Sequence, residues 1–558
     1  MKKKLLLILL FLIVLIGCTD IKISYYIDNE LIKEDIINDN YEIYYPLEIE
    51  GYTFDGWYLD NNYSEKYESN EINKSLTLYG RYKEKVIYPN INDLEILYIN
   101  DTHGSIFYNE QTTEIGLSKI GSYIEERRKI NPNIIVLAGG DMFQGGALSN
   151  YYDGKPILEI MNYLKFDAMV VGNHEFDWKL TTITDYFKED GLANFPLLGA
   201  NIINKTTNKI PDNIDPYVIL NKGDKKIGII GIIGDYIETS IAQRMVENYN
   251  FDESINYVKK YTKELREEEN CDYVIVMHHG DVDYLTNEIS NLNNEYKVDV
   301  LLNAHTHIAY EEEKNDTIVL QSGSNSKYLG QIIIDGNDKS YNNYGISSNI
   351  FYNINNNSNI DSIINKYYDP IKEEFEETIL IAGNSYSSYE LTKWIAKLMR
   401  VVTNSDVAIQ NYGGTRTNMQ EGQIININYL YKLLPFDNKI KYTYMEGSVL
   451  KNYLENNSSY IGYSGLSISE INDNEIYKVA SNDYVTDADA SYNPFRGYEL
   501  VDDNIFLRDL IINEMNLQKE NGYETFYTNN TIYTKSLMEQ SKRLFFFIIN
   551  SFGNINQL

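Results

Sequence analysis

Short apolar runs, each ended by a cluster of glycine, aspartate, asparagine or histidine, recur along this 558-residue chain. Leu94 to Ile99, Ile134 to Ala138, Ala168 to Val171, Tyr273 to Met277 and Val300 to Leu302 are the clearest. Such runs, apolar at nearly every position, predict strands covered on both faces, as in a parallel sheet between helices. Residues 93–345 are therefore read as one α/β domain. A second α/β domain is read over 379–558, where a helical pattern from Leu391 to Met399 precedes the strand-like Val407-Ala408-Ile409. Between them, Asn353 to Asn359 and the polar Asp361 to Glu377 mark a linker and connecting helix over 346–378. Ahead of both, Ile21 to Ile27, Tyr41 to Tyr45, Gly51 to Tyr58 and Leu76 to Gly80 alternate apolar and polar residues, so 18–83 is predicted to be a small β module. Glu84 to Asn92 would join that module to the rest.

The first residues predict an export signal over 1–17. Lys2, Lys3 and Lys4 precede a twelve-residue apolar run from Leu5 to Ile16, short of the ~20 residues that a span requires. The ending Leu15-Ile16-Gly17-Cys18 resembles a bacterial lipobox. That resemblance implies cleavage before Cys18, a diacylglyceryl group on its thiol, and an extracytoplasmic protein anchored to the bacterial cell membrane. Only Cys271 would then remain, which excludes an intrachain disulfide. The apolar tail Leu544 to Ile549 is too short to cross a bilayer and is expected to be a buried strand or helix.

Charge narrows the partners. With 81 acidic against 49 basic residues the net charge is −32, and no basic stripe exists to neutralise a nucleic-acid backbone, so no nucleic-acid polymer is expected. Small anions remain permitted if metal ions reverse the field locally.

Metal binding is what the histidines predict. All six, His103, His174, His278, His279, His305 and His307, stand in motifs directly after apolar runs. Those motifs are Asp101-Thr102-His103-Gly104, Gly140-Asp141, Gly172-Asn173-His174-Glu175-Phe176-Asp177, His278-His279-Gly280 and His305-Thr306-His307. Loops beyond the carboxyl ends of strands in an α/β sheet converge on one crevice, so residues far apart in sequence can share a site. Carboxylate, imidazole and amide oxygen suit borderline and hard divalent ions, while two cysteines cannot build a thiolate zinc site.

This ordered set resembles the calcineurin-like metallophosphoesterases, and within them the 5'-nucleotidase family that includes UDP-sugar hydrolases and 2',3'-cyclic-nucleotide phosphodiesterases. The resemblance runs from about Leu94 to about Tyr498. It implies a four-layer α/β/β/α metallophosphoesterase domain followed by an α/β nucleotide-binding domain, and two divalent ions of the Mn, Zn, Co or Mg kind as cofactors. One ion would be held by Asp101, His103, Asp141 and His307, and the other by Asp141, Asn173, His278 and His305. His279 has no ligand counterpart in the pattern and is expected to support the ligands. The chemistry needs such a site, because attacking water and phosphoryl oxygens are both electron-rich and two cations must activate the one and neutralise the other. His174, oriented by Asp177, would be the catalytic group that stabilises the transition state and helps the leaving alkoxide depart.

Nucleotide contacts are implied further on. Asn411-Tyr412-Gly413-Gly414-Thr415-Arg416 resembles the family's Asn-x-Gly-Gly-x-Arg segment, in which backbone approaches an anion and Arg416 offers a planar fork to phosphate. Phe436, in Leu434-Pro435-Phe436-Asp437-Asn438, and Tyr484, in Ser481-Asn482-Asp483-Tyr484, would sandwich the base. Two departures stand out. The paired arginines usual ahead of the Leu391 helix are replaced by Ile381 to Ser388 without any arginine, leaving phosphate to Arg416, Asn384 or nearby hydroxyls. The Gly-Gly-Asp-Gly-Tyr expected after the second aromatic is replaced by Asp487 to Tyr492.

The function so implied is two-metal hydrolysis of nucleotide phosphate esters, as a 5'-nucleotidase with UDP-sugar or cyclic-nucleotide activity also open. The alternatives are a thiosulfohydrolase cousin of the same fold and a surface-binding lipoprotein with a relic enzyme domain. The leading module, with Gly51-Tyr52-Thr53-Phe54-Asp55-Gly56-Trp57-Tyr58 and Leu78-Tyr79-Gly80, resembles the β-grasp repeat of internalin-type surface proteins, which implies a stalk or a contact to wall polymer or a partner.

Overall fold

The computed structural model describes residues 21–27, 29–37, 43–46, 52–67, 74–84, 94–280, 282–336, 338–488 and 493–532. The export signal, Cys18 and the Leu544–Ile549 tail lie outside them. The chain forms two compact units, Met1–Tyr88 and Pro89–Leu558.

The first unit is a four-stranded mixed sheet in the order Glu30–Ile36, Lys22–Ile27, Leu76–Glu84, Tyr52–Tyr58. Its two central strands run parallel and both outer pairings are antiparallel. Alternation sends Ile23, Tyr25, Trp57 and Leu78 into one small core. The Trp57 indole N–H, which burial would otherwise orphan, donates to the Tyr44 carbonyl at 2.7 Å.

The second unit opens with two six-stranded sheets packed face to face. One has the order Asp338–Gly345, Tyr328–Asp335, Leu94–Ile99, Ile135–Ala138, Ala168–Val170, Leu197–Leu198. The other has the order Tyr217–Lys222, Lys225–Ile233, Tyr273–His279, Val300–Ala304, Thr317–Ser322, Ala309–Lys314. The inner strands pair in parallel, which explains their nearly continuous apolar character. Alternate residues of each strand serve different cores. Ile96, Tyr98, Ile275, Met277, Val300 and Leu302 meet between the sheets, whereas Val274, Val276 and Leu301 face an outer layer with the Ser254–Glu267 helix. Leu97, Ile99 and Val136 face the opposite outer layer, with the Leu117–Ile130 and Lys155–Tyr163 helices. The result is the expected α/β/β/α stack.

The connecting helix is Ser358–Tyr368. Its Ile360 and Ile364 enter the core beneath the Leu117–Ile130 helix, and Lys366 pairs with Glu159 at 2.7 Å. The following α/β portion is built on a five-stranded sheet in the order Ile461–Gly465, Val407–Asn411, Ile476–Asn482, Lys439–Glu446, Val501–Phe506. Helix Ser388–Thr403 starts with a reciprocal cap between Ser387 and Glu390 and, with Leu507–Glu520, covers one face.

Candidate metal centre and adjoining cavity

Every candidate ligand stands on or just beyond the carboxyl end of an inner strand, and five of them have left-handed backbone. Asp101, His103, Asp141, His305 and His307 have φ of 49°, 46°, 53°, 77° and 61°. A side chain at such φ costs on the order of 1–3 kcal/mol, so surrounding bonds must impose it. They do. Asp101 N–H donates to the Gly140 carbonyl at 3.0 Å and His103 N–H to the Asp141 carbonyl at 3.0 Å. The buried Glu175 carboxylate accepts from the N–H groups of Asp141 (2.8 Å), Met142 (3.0 Å) and Gly172 (2.8 Å), tying two loops together. Asp101 Oδ2 accepts from His305 N–H at 2.9 Å and from Asn100 Nδ2 at 2.6 Å. Glu175 acts on the site by fixing backbone and Asn100 by holding the Asp101 carboxylate, and the sequence reading missed both roles. Glu175 stands inside a quoted motif, but nothing in a linear pattern shows that its carboxylate turns back to three amides.

Two ligand clusters result. Asp101, His103 and His307 form one, and Asp141, His279 and His305 another; Asp141 also groups with His103 and His174. Here the structure corrects one expectation. His278 does not face the crevice; its Nδ1 meets Asn303 Oδ1 at 3.1 Å. His279 does, with Nε2 at 3.2 Å from Asp141 Oδ2 and 3.1 Å from Asn173 Oδ1, while His305 Nδ1 reaches the same Asn173 oxygen at 2.8 Å. The cause is strand parity. His278 follows Val274 and Val276 toward the helices, and His279 follows Ile275 and Met277 into the space between the sheets.

The donor set fits divalent cations. Asp101 Oδ1 is buried without a hydrogen-bond partner, and His307 Nε2 and His103 Nε2 lie 3.5 Å and 4.0 Å from it. Those two imidazole nitrogens face each other at 2.9 Å, a hydrogen bond when one ring carries its proton there and, once both present lone pairs, a pair of donors able to share a cation. Burial holds the His103 ring down to about 3 even though the Asp141 carboxylate opposes it, so the ring is neutral and free to ligate. Burial also disfavours a charged His279, but the Asp141 carboxylate outweighs it and holds that ring up to about 10. In the metal-free protein His279 is thus the counter-ion of Asp141, a place that a divalent cation can take once the ring yields its proton.

His174 and Asp177 come together as expected, with His174 Nδ1 at 2.8 Å from Asp177 Oδ2. Asp177 ends the turn Asn173–Phe176, and the next helix, Leu180–Thr184, has Lys179 as its cap, so the carboxylate serves the histidine rather than a helix. Burial opposes a charged His174, but Asp177 and Asp141 prevail and raise it to about 9.

A cavity of about 690 Å³ opens from this cluster toward the second α/β portion. Asp141, Asn173, His174, His305 and His307 line one end, and Asn411, Gly413, Gly414, Arg416, Phe436 and Tyr484 line its other walls. The Phe436 ring stacks on His174 at 5.5 Å and 19°, and the Arg416 guanidinium lies 5.7 Å from the Phe436 centroid. Asn411 is oriented by Asn482, whose Nδ2 donates to its Oδ1 at 2.7 Å. At Gly414 a Cβ would stand 2.6 Å from Gln410 Nε2 and 2.9 Å from Asn411 Oδ1, so a larger residue there would displace those two side chains. Asn384 does not line the cavity; Lys179, Arg244, Lys439 and Lys441 do. Those four cations come from three separate segments, which is why no local motif announced them.

Comparison with known proteins agrees with this geometry. Residues 94–309 match the calcineurin-like phosphoesterase family, and residues 373–470 match the 5'-nucleotidase C-terminal domain. The chain is therefore a calcineurin-like metallophosphoesterase, a metal-dependent phosphoester hydrolase that works with two divalent ions. Within that class it carries the 5'-nucleotidase type of C-terminal domain. It is 25% identical to a 5'-nucleotidase of Vibrio cholerae over 470 residues, covering 72% of this chain and 83% of that protein. A 5'-nucleotidase precursor of Thermus thermophilus shares the fold with a TM-score of 0.67 at 17% identity, covering 78% of this chain and 97% of that one. The sulfate thiohydrolase SoxB of the same organism shares it with a TM-score of 0.61 at 14% identity, over 79% of this chain and 96% of that one.

Proposed function

We propose that the chain hydrolyses nucleoside 5'-phosphates to nucleoside and phosphate, outside the cytoplasm and held to the membrane by a lipidated Cys18. The observation that carries the substrate is the single cavity with the ligand cluster at one end and Arg416, Phe436 and Tyr484 on its walls. A phosphate beside Arg416 and the clusters leaves a base within reach of Phe436, and stacking on such a ring contributes roughly 1–3 kcal/mol without selecting one base.

In this reading Asp101, His103, Asp141 and His307 would hold one ion, and Asp141, Asn173, His279 and His305 the other. Two such ions supply hydroxide near neutral pH and neutralise the phosphoryl oxygens. The chain's own residues do the rest. Arg416 grips the phosphate through a charged, planar fork. His174, held by Asp177, gives a proton to the departing 5' oxygen, and Phe436 keeps the His174 ring in plane while excluding water from that face. The export signal and lipobox over 1–18 support the location, and the β module over 18–83 supports a spacer between membrane and enzyme.

The test is phosphate release from AMP, GMP, UMP and CMP with Mn²⁺, beside phosphate release from glycerol phosphate and sulfate release from an alkyl thiosulfate ester. Nucleotide turnover within about tenfold across bases, and far above glycerol phosphate, supports the proposal. Equal turnover of glycerol phosphate, or turnover of the thiosulfate ester alone, overturns it.

A further inference from the structure

Carboxylates and cations are mixed on the walls of the cavity that opens from the ligand clusters, and nearly all of them are paired. Asp177 holds His174 at 2.8 Å, Arg244 pairs with Asp483 and Arg508 with Asp437. Lys439 lies 3.9 Å from Asp502, and Lys441 lies 2.5 Å from Asp487. Among the described residues, Arg416 and Lys179 are the two lysine or arginine side chains of that wall with no carboxylate within 4.0 Å. In a chain with a net charge of −32 an unpaired cation is the exception. Arg416 meets the phosphate that is cleaved, and Lys179 is left over.

Its backbone sets Lys179 apart from a lysine that serves only solubility. It has φ 71° and ψ 133°, where a β-carbon is unfavourable and glycine sits freely. The conformation is imposed from both sides. Trp178 packs on the core and Leu180 is buried in it. Lys179 N–H donates to the Phe176 carbonyl at 2.9 Å, and the Lys179 carbonyl accepts from Thr182 N–H at 3.0 Å. Glycine would make both of these backbone bonds without strain, so the turn itself does not call for lysine. A strained residue whose side chain lines a cavity points to a use for that side chain.

We propose that Lys179 receives a second phosphate carried by the leaving nucleoside, so that the enzyme prefers nucleoside 3',5'-bisphosphates to plain 5'-monophosphates. This rests on the proposed transfer of a proton from His174 to the departing 5' oxygen. His174, Asp177, Trp178 and Lys179 line the same cavity from one continuous segment, so the ribose that hangs from the oxygen protonated by His174 comes next along that wall. Phe436 and Tyr484 take the base, which leaves the ribose hydroxyl positions for a further anion. Water adds at the 5' phosphorus, the bond from phosphorus to the 5' oxygen breaks, and that oxygen takes a proton from His174. The products are the nucleoside 3'-phosphate and inorganic phosphate.

The test compares kcat/KM for adenosine 3',5'-bisphosphate, AMP and ADP in Mn²⁺, with products separated by chromatography. ADP carries as many phosphates as the bisphosphate but places both on the 5' side, so it controls for charge alone. The wild type should favour the bisphosphate over AMP by roughly 3-fold to 30-fold, the effect of one charged contact at a partly exposed site. Lys179→Gly should remove that preference, leave the ratio of ADP to AMP where it was, and raise Tm by up to about 8 °C as the strain is released. Lys179→Arg should keep the preference. A wild type without it, a preference that survives Lys179→Gly, losses shared equally by all three substrates, or AMP as the product of the bisphosphate would each overturn the inference while leaving the nucleotidase reading intact. Turnover of the bisphosphate with the expected variant effects but none of AMP would uphold the inference and sink that reading; failure of all three substrates sinks both.

Discussion

Replacing each of the two adjacent histidines in turn separates metal binding from folding. His278→Ala removes a fully buried ring and leaves Asn303 Oδ1 without the contact it makes at 3.1 Å. Loss of a buried side chain of that size costs about 2–4 kcal/mol, and an orphaned buried acceptor about 1–3 kcal/mol more. For a unit this large, at roughly 2–4 °C per kcal/mol, Tm should fall by about 6–28 °C. Metal content should stay near two per chain once the variant is folded, since the ring ligates nothing. His279→Ala should behave in the opposite way. It takes a nitrogen from within 3.2 Å of both Asp141 and Asn173, and loss of groups that merely orient ligands already costs about 10–100-fold in metal affinity. A larger loss is expected for the ligand itself, so at micromolar metal the variant should retain about one ion and little activity. The metal-free protein should also lose stability, because Asp141 is then a buried carboxylate without its counter-ion, a loss of about 3–5 kcal/mol. Elemental analysis after desalting, with calorimetry in chelator and in Mn²⁺, distinguishes the two. If His278→Ala loses an ion while His279→Ala keeps both, the assignment by strand parity is wrong.

Other outcomes follow from the same geometry. His174→Asn should lower kcat and kcat/KM together by about 10²- to 10⁴-fold with metal content unchanged; an intact kcat in steady-state assays would remove His174 from proton transfer. Phe436→Ala should raise KM for all nucleoside monophosphates by roughly 5-fold to 150-fold. Because that ring also packs on His174, kcat for glycerol phosphate should fall slightly while its KM holds, and an equal KM rise for both esters would make Phe436 a packing residue only. Glu175→Ala strips three backbone N–H groups of their acceptor and should weaken both ions while lowering Tm, whereas Glu175→Gln, which keeps one acceptor oxygen, should recover part of both; identical behaviour of the two variants would contradict the backbone-positioning role. Chelator should abolish turnover, and readdition of Mn²⁺ should restore it.

Much of the architecture was legible because it is written in local chemistry. The nearly continuous apolar character of Leu94–Ile99 or Val300–Ala304 already demands cover on both faces, and cover on both faces demands helices outside parallel sheets. The motif residues at the strand ends marked the crevice for the same reason, since a polar group inside such a run needs a dedicated partner, as Glu95 has in Arg127 at 2.8 Å. That same two-sided burial erased the signal that would have separated His278 from His279. In a strand with one wet face, alternation tells which neighbour points where; between two apolar layers every position reads alike. The pairing of His279 with Ile233 and Ala304 on the neighbouring strands fixes which histidine meets Asp141. The four additional cations of the first cavity were equally out of reach. Lys179, Arg244 and the pair Lys439 and Lys441 come from three separate segments, and only long-range packing brings them to one cavity. What the sequence alone determined was the set of elements and the chemical types at their ends; which side chain faces the crevice, and what surrounds it, was decided by register and by packing between sheets.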